Sequence, residues 1–187
     1  RTLQSNDAPT RYREYAFASH RRYRVSHHNG PDWKQPCRYT LNEDHERNQP
    51  GVPDLVRMEP LFFGSQGNEL YGVYHAPTLL IPRTTGVVLC APFGEESIRA
   101  HRAYRLLACQ LAMAGFPSLR FDYYGCGDSY GDRKDGTLMR WIADIQDAID
   151  LLRDGSDVKH VVLLGCRLGG SLAYMVGAQR HDVVGMI

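Results

Sequence analysis

From about residue 59 onward, apolar and polar positions follow two regular periods along the chain. Continuous or alternating apolar residues are typical of strands, and they predict strands over 61–63, 70–75, 86–93, 117–122, 159–164 and 183–187. Apolar positions three and four residues apart predict amphipathic helices over about 97–114, 137–153 and 168–178. Gly115 is expected to end the first helix, while Glu95 and Glu96 favour its positive amino end.

The order of these elements predicts an α/β fold. The first two strands are joined by the turn sequence GSQGN, which indicates an antiparallel hairpin. The run GVVLCAPF, residues 86–93, is apolar throughout, as expected of a strand buried on both faces. Strands that alternate with helices form a parallel sheet with helices on both faces. We therefore predict a mostly parallel sheet preceded by an antiparallel hairpin.

Residues 1–57 do not share this organisation. They contain four of the eight histidines, many arginines and no apolar face of either period. We interpret this segment either as an irregular or disordered polar tail or as non-native sequence upstream of a natural start at Met58, the first methionine. Residues 58–187 then form the amino-terminal part of the α/β domain. The last residues, HDVVGMI, are typical of a strand that stops midway, so we expect the fold to be truncated at the carboxyl end.

A short stretch near the end, VVLLGCRLGG, carries the main candidate chemistry. Gly165, Arg167 and Gly169 have the spacing of a nucleophile elbow, G-x-S-x-G, a tight strand-to-helix turn whose middle residue attacks the substrate. Small residues flank the tip because larger side chains would collide there. The middle residue here is arginine, which stays cationic and is not a nucleophile. An ordinary tight turn is the alternative interpretation.

The same turn predicts half of an oxyanion hole. In an elbow, the backbone N–H of the residue after the tip pairs with an N–H from the loop after an earlier strand. These positions correspond here to Leu168 and to Phe93 in the loop APFGEES, where Gly94 permits a close approach. Backbone donors persist whatever side chain occupies the tip, so the hole is compatible with Arg167.

Together these stretches resemble a known superfamily. From Met58 onward, about 130 residues resemble the α/β-hydrolases of the serine aminopeptidase-like branch, whose loop pattern is similar to RFDYYGCGDSYGD, residues 120–132. More narrowly, APFGEES, DYYGCGDS and GCRLGG resemble the exosortase A system-associated hydrolases of the second type, which also carry arginine at the elbow tip. The resemblance implies an α/β-hydrolase fold in a bacterial cytoplasmic protein, near an exopolysaccharide or protein-sorting pathway.

The resemblance also implies that any catalytic triad is incomplete in this chain. In active relatives the acid and the histidine follow the nucleophile, so both would lie beyond residue 187. Asp182 and His181 are the polar candidates after the elbow, and we interpret them as turn residues.

Four roles for the residues at the turn remain open. Arg167 can hold a carboxylate or phosphate with its planar fork, or it can serve a partner interface in a non-catalytic pseudoenzyme. Cys166 is an alternative nucleophile, because a neighbouring cation and a helix amino end favour its thiolate; a small buried apolar residue is the competing interpretation. Ser171 is assigned to helix packing.

Composition excludes several classes of function. A net charge of +1 argues against a nucleic-acid binder, and no apolar run is long enough for a membrane span. Five cysteines without a C-x-x-C pair indicate reduced thiols. We predict no metal site, and no cofactor either, because the glycines of YGCGDSYG lack dinucleotide-binding spacing and enclose Asp128. The expected partner is a small molecule with an acyl, ester or carboxylate group; the sequence does not indicate an oligomeric state.

Overall fold

The computed structural model describes residues 56–187 and the backbone of two short strands, β1 (Arg13–Tyr15) and β2 (Tyr23–Val25), which pair antiparallel. The predictions for residues 1–57 fall almost entirely outside this described part and remain predictions, as does the state of Cys37. The packed region includes the two residues before Met58. Val56 is buried against helix residues Cys109 and Ala112, and the Arg57 carbonyl accepts a hydrogen bond.

The described region alternates strands and helices after an initial hairpin. The strands are β3 (Met58–Phe63), β4 (Leu70–His75), β5 (Thr85–Cys90), β6 (Ser118–Phe121), β7 (His160–Gly165) and β8 (Val183–Met186). The helices are α1 (Glu95–Met113), α2 (Leu138–Asp154) and α3 (Leu168–Gly177), with a single 3-10 turn at Arg133–Asp135.

Six strands form one sheet in the order β3-β4-β6-β5-β7-β8. Strand β4 runs antiparallel to both β3 and β6, whereas β6, β5, β7 and β8 are mutually parallel. The sequence prediction of a mostly parallel sheet preceded by an antiparallel hairpin is therefore confirmed. The register pairs Phe63 with Leu70, so the loop 64–69 closes the hairpin.

Helices cover both faces of the sheet. Apolar residues of α2 and α3 pack on one face, against alternate residues of β5, β6 and β7. Together they form the largest hydrophobic cluster of the described region. Helix α1 packs on the other face, where Ala108 meets Val87 and Leu89 of β5. Strands β5 and β7 are both interior strands, paired on each side, so the turns that follow them start from the inside of the sheet.

Two elements begin two or more residues earlier than the sequence predicts. Helix α1 begins at Glu95 rather than near 97, because Gly94 takes the positive φ of 68° that turns the chain into the helix, and the Ser97 hydroxyl bonds to the Gly94 carbonyl. Strand β3 begins at Met58 rather than Leu61, because its pairing with β4 extends to the Met58–His75 register. Cross-strand pairing of this kind is not visible in a local apolar pattern.

Candidate functional site

The strand-to-helix turn after β7 has the geometry of an elbow. Strand β7 ends at Gly165 and helix α3 begins at Leu168, so two residues make the whole connection. Arg167 has φ 54° and ψ −124°, and it is the single non-glycine residue with positive φ in residues 56–187. A side chain held in this region of backbone space costs of the order of 1–3 kcal/mol. The surrounding structure therefore imposes the conformation of the tip.

The two flanking glycines are required by close backbone contacts. A Cβ on Gly165 would lie 2.6 Å from the Gly169 carbonyl carbon, and a Cβ on Gly169 would lie 2.5 Å from the Ala91 carbonyl oxygen and closer still to that of Cys90. Both contacts involve backbone atoms, which cannot move aside as a flexible side chain can. The predicted need for small residues around Arg167 thus has a direct structural cause.

The Arg167 side chain extends from the tip to the start of helix α1. Its Nε lies 2.6 Å from Oε1 of Glu96, and 71% of the side chain is exposed. Within the described residues this is the one ion pair of the guanidinium group, so Glu96 is the one carboxylate there within ion-pair distance of it. The sequence did not indicate Glu96 as the partner, because 71 residues separate the two positions.

Cys166 lies exposed beside the tip, so the interpretation of a small buried residue is wrong. Its backbone N–H donates to the Tyr104 hydroxyl of helix α1 at 3.1 Å, and that hydroxyl lies 3.1 Å from the Cys90 carbonyl and 3.5 Å from the Cys166 Sγ. The hydroxyl has one proton, and the carbonyl is the better acceptor. Ser171 is also exposed and donates to the Arg167 carbonyl, so it is not a packing residue.

The two backbone N–H groups predicted to form an oxyanion hole are unoccupied. Within residues 56–187, neither the Phe93 nor the Leu168 N–H donates a hydrogen bond. Leu168 is the first residue of α3, and Phe93 lies directly before Gly94 at the start of α1. The Phe93 ring is fixed between Trp141, at a centroid distance of 4.6 Å, and the Arg133 guanidinium, at 4.9 Å.

The loop after β6 is held by hydrogen bonds within the loop and to α2. Oδ2 of Asp122 accepts the Asp128 backbone N–H at 3.2 Å, so Asp122 is a hydrogen-bond acceptor within the loop. Gly127, at φ 53°, leaves the space that Asp122 occupies. The Tyr124 backbone N–H donates to the Asp144 carboxylate at 2.8 Å, and the Tyr124 carbonyl accepts a hydrogen bond from the Trp141 indole N–H.

The sequence analysis did not single out Asp144, although its position on the apolar face of α2 is a visible signal. It is the one charged residue on the buried face of α2, among residues such as Trp141 and Ile145. Burial raises the pKa of its carboxyl to about 6, against the opposing effects of the Tyr124 N–H and of Arg140, whose Nε lies 2.7 Å away. A carboxylate on an apolar helix face usually has a partner, and here it anchors the loop.

The other polar candidates of the sequence do not join the turn. His181 is exposed in the turn before β8. Asp182 accepts from Arg180 and Arg153 at 2.7 and 2.6 Å, as part of an ion-pair network before β8. In the described part of the chain, no cluster of three or more potential metal-ligating side chains is present. None of the helices there has the length and apolarity that crossing a bilayer requires.

Comparison with known sequences gives a short match. No protein-family model matches the chain. The mitochondrial palmitoyl-protein thioesterase ABHD10 of Homo sapiens and that of Pongo abelii are each 37% identical over 70 residues. The match covers 37% of this chain and 22% of those relatives, so the chain corresponds to about a fifth of their length.

Comparison with solved structures identifies the fold. The esterase Pf2001 of Pyrococcus furiosus has a TM-score of 0.57 at 18% identity, over 70% of this chain and 50% of that one. A putative α/β hydrolase from Agrobacterium tumefaciens scores 0.57 at 19% identity, over 68% and 58%. Est1E of Butyrivibrio proteoclasticus with bound ferulic acid scores 0.53 at 20%, over 67% and 50%. The chain has the α/β-hydrolase fold and spans about half the length of these structures.

Proposed function

We propose that this chain is part of a hydrolase-like protein that acts on or binds a small molecule bearing an acyl, ester or carboxylate group, and that Arg167 binds the anionic end of that molecule. The observation that carries the proposal is the position of an exposed guanidinium group at the tip of an elbow, with its Nε paired to Glu96 and no second carboxylate within ion-pair distance among residues 56–187.

A guanidinium group presents two edges to carboxylates. Glu96 pairs with the edge that includes Nε, and a ligand carboxylate would take the other edge. Glu96 therefore acts as an orienting residue, which reduces the number of rotamers that binding must fix. Each charge-assisted hydrogen bond to a ligand carboxylate would contribute about 1.5–3 kcal/mol.

The surroundings of Arg167 also favour an anion. The unoccupied N–H groups of Leu168 and Phe93 lie at or directly before the amino ends of α3 and α1, which carry partial positive charge. These donors suit a carboxylate or carbonyl oxygen. Ferulic acid, which Est1E binds, is itself a carboxylic acid, so this fold accommodates such a group in at least one similar protein.

Cys166 supports a second, catalytic candidate that we rank lower. Its thiol is exposed next to the tip, as attack on an ester or thioester requires. A thiol of this kind needs a general base, however, and its one side-chain hydrogen-bond partner in residues 56–187 is the Tyr104 hydroxyl. Burial raises the pKa of Tyr104, so this hydroxyl stays protonated and does not serve as the base.

A non-catalytic scaffold role is the remaining alternative. The resemblance to exosortase A system-associated hydrolases supports a place in an exopolysaccharide or protein-sorting gene cluster. In that case Arg167 would contact a partner protein instead of a small molecule, and its affinity for free carboxylates would be negligible.

Ester turnover separates binding from catalysis. We expect the protein to hydrolyse p-nitrophenyl acetate and butyrate no faster than the Cys166→Ala variant does, because no base contacts the thiol. Release of p-nitrophenol that is lost in Cys166→Ala would favour the thiol enzyme and contradict a purely binding role. Turnover that appears only in Arg167→Ser would indicate a hydrolase site that is inactive because arginine stands in place of the nucleophilic serine.

A further inference from the structure

The loop between β4 and β5 carries the two most exposed large apolar side chains of the described region. This loop spans residues 76–84 and has the sequence APTLLIPRT. Leu80 is 100% exposed and Ile81 is 83% exposed, and Leu79 beside them is 44% exposed. Apolar residues that are exposed singly are common on protein surfaces, whereas a contiguous exposed patch indicates a contact surface. We therefore asked what kind of partner fits this loop.

The loop is held against the carboxyl end of α1 on both sides of its apolar tip. The Thr78 backbone N–H donates to the Ala112 carbonyl at 3.0 Å, and the Arg83 backbone N–H donates to the Gly115 carbonyl at 2.8 Å. Leu79 packs on Gly115, where an added Cβ would lie 3.0 Å from the leucine Cγ. The other two apolar side chains of the tip therefore project from a structured base.

The charged groups beside the tip are mainly cationic. Arg83 is exposed and is the one charged residue of the loop, and the sequence from residue 76 to residue 94 contains no acidic residue. Lys159 is also exposed and adjoins the loop, because its backbone N–H donates to the Thr84 carbonyl at 2.7 Å. Asp157 is the exposed acidic residue of the turn that carries Lys159. The loop itself thus combines an apolar tip with a positive base.

We propose that this loop docks the protein on the surface of a phospholipid bilayer, with Leu80 and Ile81 among the upper acyl chains and Arg83 at the headgroup phosphates. Apolar side chains that project from a fold can enter a fluid bilayer without a pocket of matching shape. A partner protein would need such a pocket for side chains as exposed as these. An apolar tip next to a cation also matches the order of groups in a bilayer, where phosphates lie above the acyl chains.

The docking loop and the elbow lie at opposite edges of the sheet. The loop leads into the amino end of β5, whereas Phe93 and Arg167 follow the carboxyl ends of β5 and β7, which are parallel. A bilayer at the loop would therefore leave the turn at Arg167 facing water. The proposal does not rest on the function proposed for Arg167.

Cosedimentation of the protein with vesicles of phosphatidylcholine and phosphatidylglycerol tests the proposal. We expect the double variant Leu80→Ser, Ile81→Ser to bind these vesicles at least tenfold more weakly than the parent protein. Ile98→Ser is the matched control and should stay within threefold, because Ile98 is 77% exposed but lies in the first turn of α1, at the elbow edge. Thermal unfolding of both variants should match the parent protein, since the replaced side chains are largely exposed.

A tryptophan at the tip reports insertion directly. Vesicles should shift the fluorescence of Leu80→Trp to shorter wavelength and leave that of Ile98→Trp unchanged, because the indole of the first variant enters an apolar environment. The proposal is overturned if the parent protein does not bind vesicles, if the double variant binds as the parent does, or if the emission of Leu80→Trp does not shift. A parent protein that forms a larger oligomer than the double variant in size-exclusion chromatography would assign the tip to contacts between copies of the chain, which also overturns the proposal.

Discussion

Arg167 occupies a backbone conformation that non-glycine residues adopt only at a cost in free energy. Its φ of 54° is imposed by the two-residue connection between β7 and α3. Strain of this kind persists at sites where the position of one side chain matters more than local stability. We infer that the strained conformation serves to place the side chain of Arg167, a cation, at the amino end of α3.

Replacing Arg167 by glycine should relieve this strain. We expect Arg167→Gly to be more stable than Arg167→Ala by about 1 kcal/mol, because glycine adopts positive φ freely and both variants lose the ion pair to Glu96. Urea denaturation of the two variants provides the measurement. Equal stabilities, or a more stable alanine variant, would show that the tip is not strained.

The flanking glycine at 169 should tolerate no side chain. Gly169→Ala is expected to cost at least about 2 kcal/mol, since the new Cβ would collide with the carbonyl oxygens of Cys90 and Ala91. Gly185→Ala is the control: its Cβ would lie an ordinary 3.4 Å from Val162. Comparable denaturation midpoints for the two variants would rule out a tight contact between the turn and the strand β5 loop.

A third residue-level prediction concerns two tyrosine hydroxyls. The Tyr123 hydroxyl, with the residue 3% exposed, makes no hydrogen bond in the described region. Tyr123→Phe should therefore leave stability unchanged or raise it by up to about 1 kcal/mol. Tyr104→Phe should lower stability by about 1 kcal/mol, because its hydroxyl bonds to Cys90 and Cys166. Thermal unfolding of both variants tests the contrast, and a larger loss in Tyr123→Phe would refute it.

The sequence predicted the residues of the elbow but not the residues that contact them. Gly165, Arg167 and Gly169 form a local pattern, because the clash that selects glycine arises from the turn itself. Glu96 and Tyr104 contact the same turn from a helix more than 60 residues earlier. Such contacts depend on the order of strands in the sheet, which no local period of apolar residues encodes.

At the level of elements, an ion-pair network joins α2 to the turn before β8. Asp182 accepts two bonds from Arg180 and one from Arg153 of α2, while Arg180 also pairs with Asp150 of α2. These bonds connect the end of one helix with the start of a parallel strand. The hydrogen bonds from Arg180 lower the pKa of Asp182 to about 2.

This network should stabilise the protein in a pH-dependent way. The folded pKa of Asp182, about 2, lies below the ordinary aspartate value of 3.8, so its stabilising contribution is complete above about pH 4 and disappears as the pH falls toward 2. Asp182→Asn should therefore be less stable than the parent protein at pH 7 and similar to it near pH 2. A difference that is constant over this range would contradict the ionic origin of the effect.

The types of the predicted elements in residues 58–187 are confirmed, and several of their ends are shifted. Periodicity defined α2 well because its buried face runs continuously through residues such as Ile145 and Ile149. The early start of α1 depends on the Gly94 conformation and on Ser97. Helix caps and the pairing of neighbouring strands set such boundaries, and both involve hydrogen bonds that the composition of the sequence does not reveal.

For the whole molecule, the sheet order brings the candidate donors to one edge. Strands β5 and β7 are neighbours and parallel, so the turns at their carboxyl ends, with Phe93 and Arg167, lie on the same side of the sheet. This position is where open α/β sheets bind ligands. The alternation of strands and helices predicted this edge, whereas the contacts of Glu96 and Tyr104 with the turn depend on how α1 packs on the sheet.

The central claim is that Arg167 binds carboxylates, and calorimetric titration with ferulate tests it most directly. Arg167→Gln removes the fork, and Arg99→Gln is the matched control because Arg99 is an exposed α1 arginine paired with Glu95. We predict that Arg167→Gln weakens ferulate binding at least tenfold, while Arg99→Gln remains within threefold of the parent protein. Ferulate affinity that is unchanged in Arg167→Gln, or lost equally in Arg99→Gln, would contradict the claim.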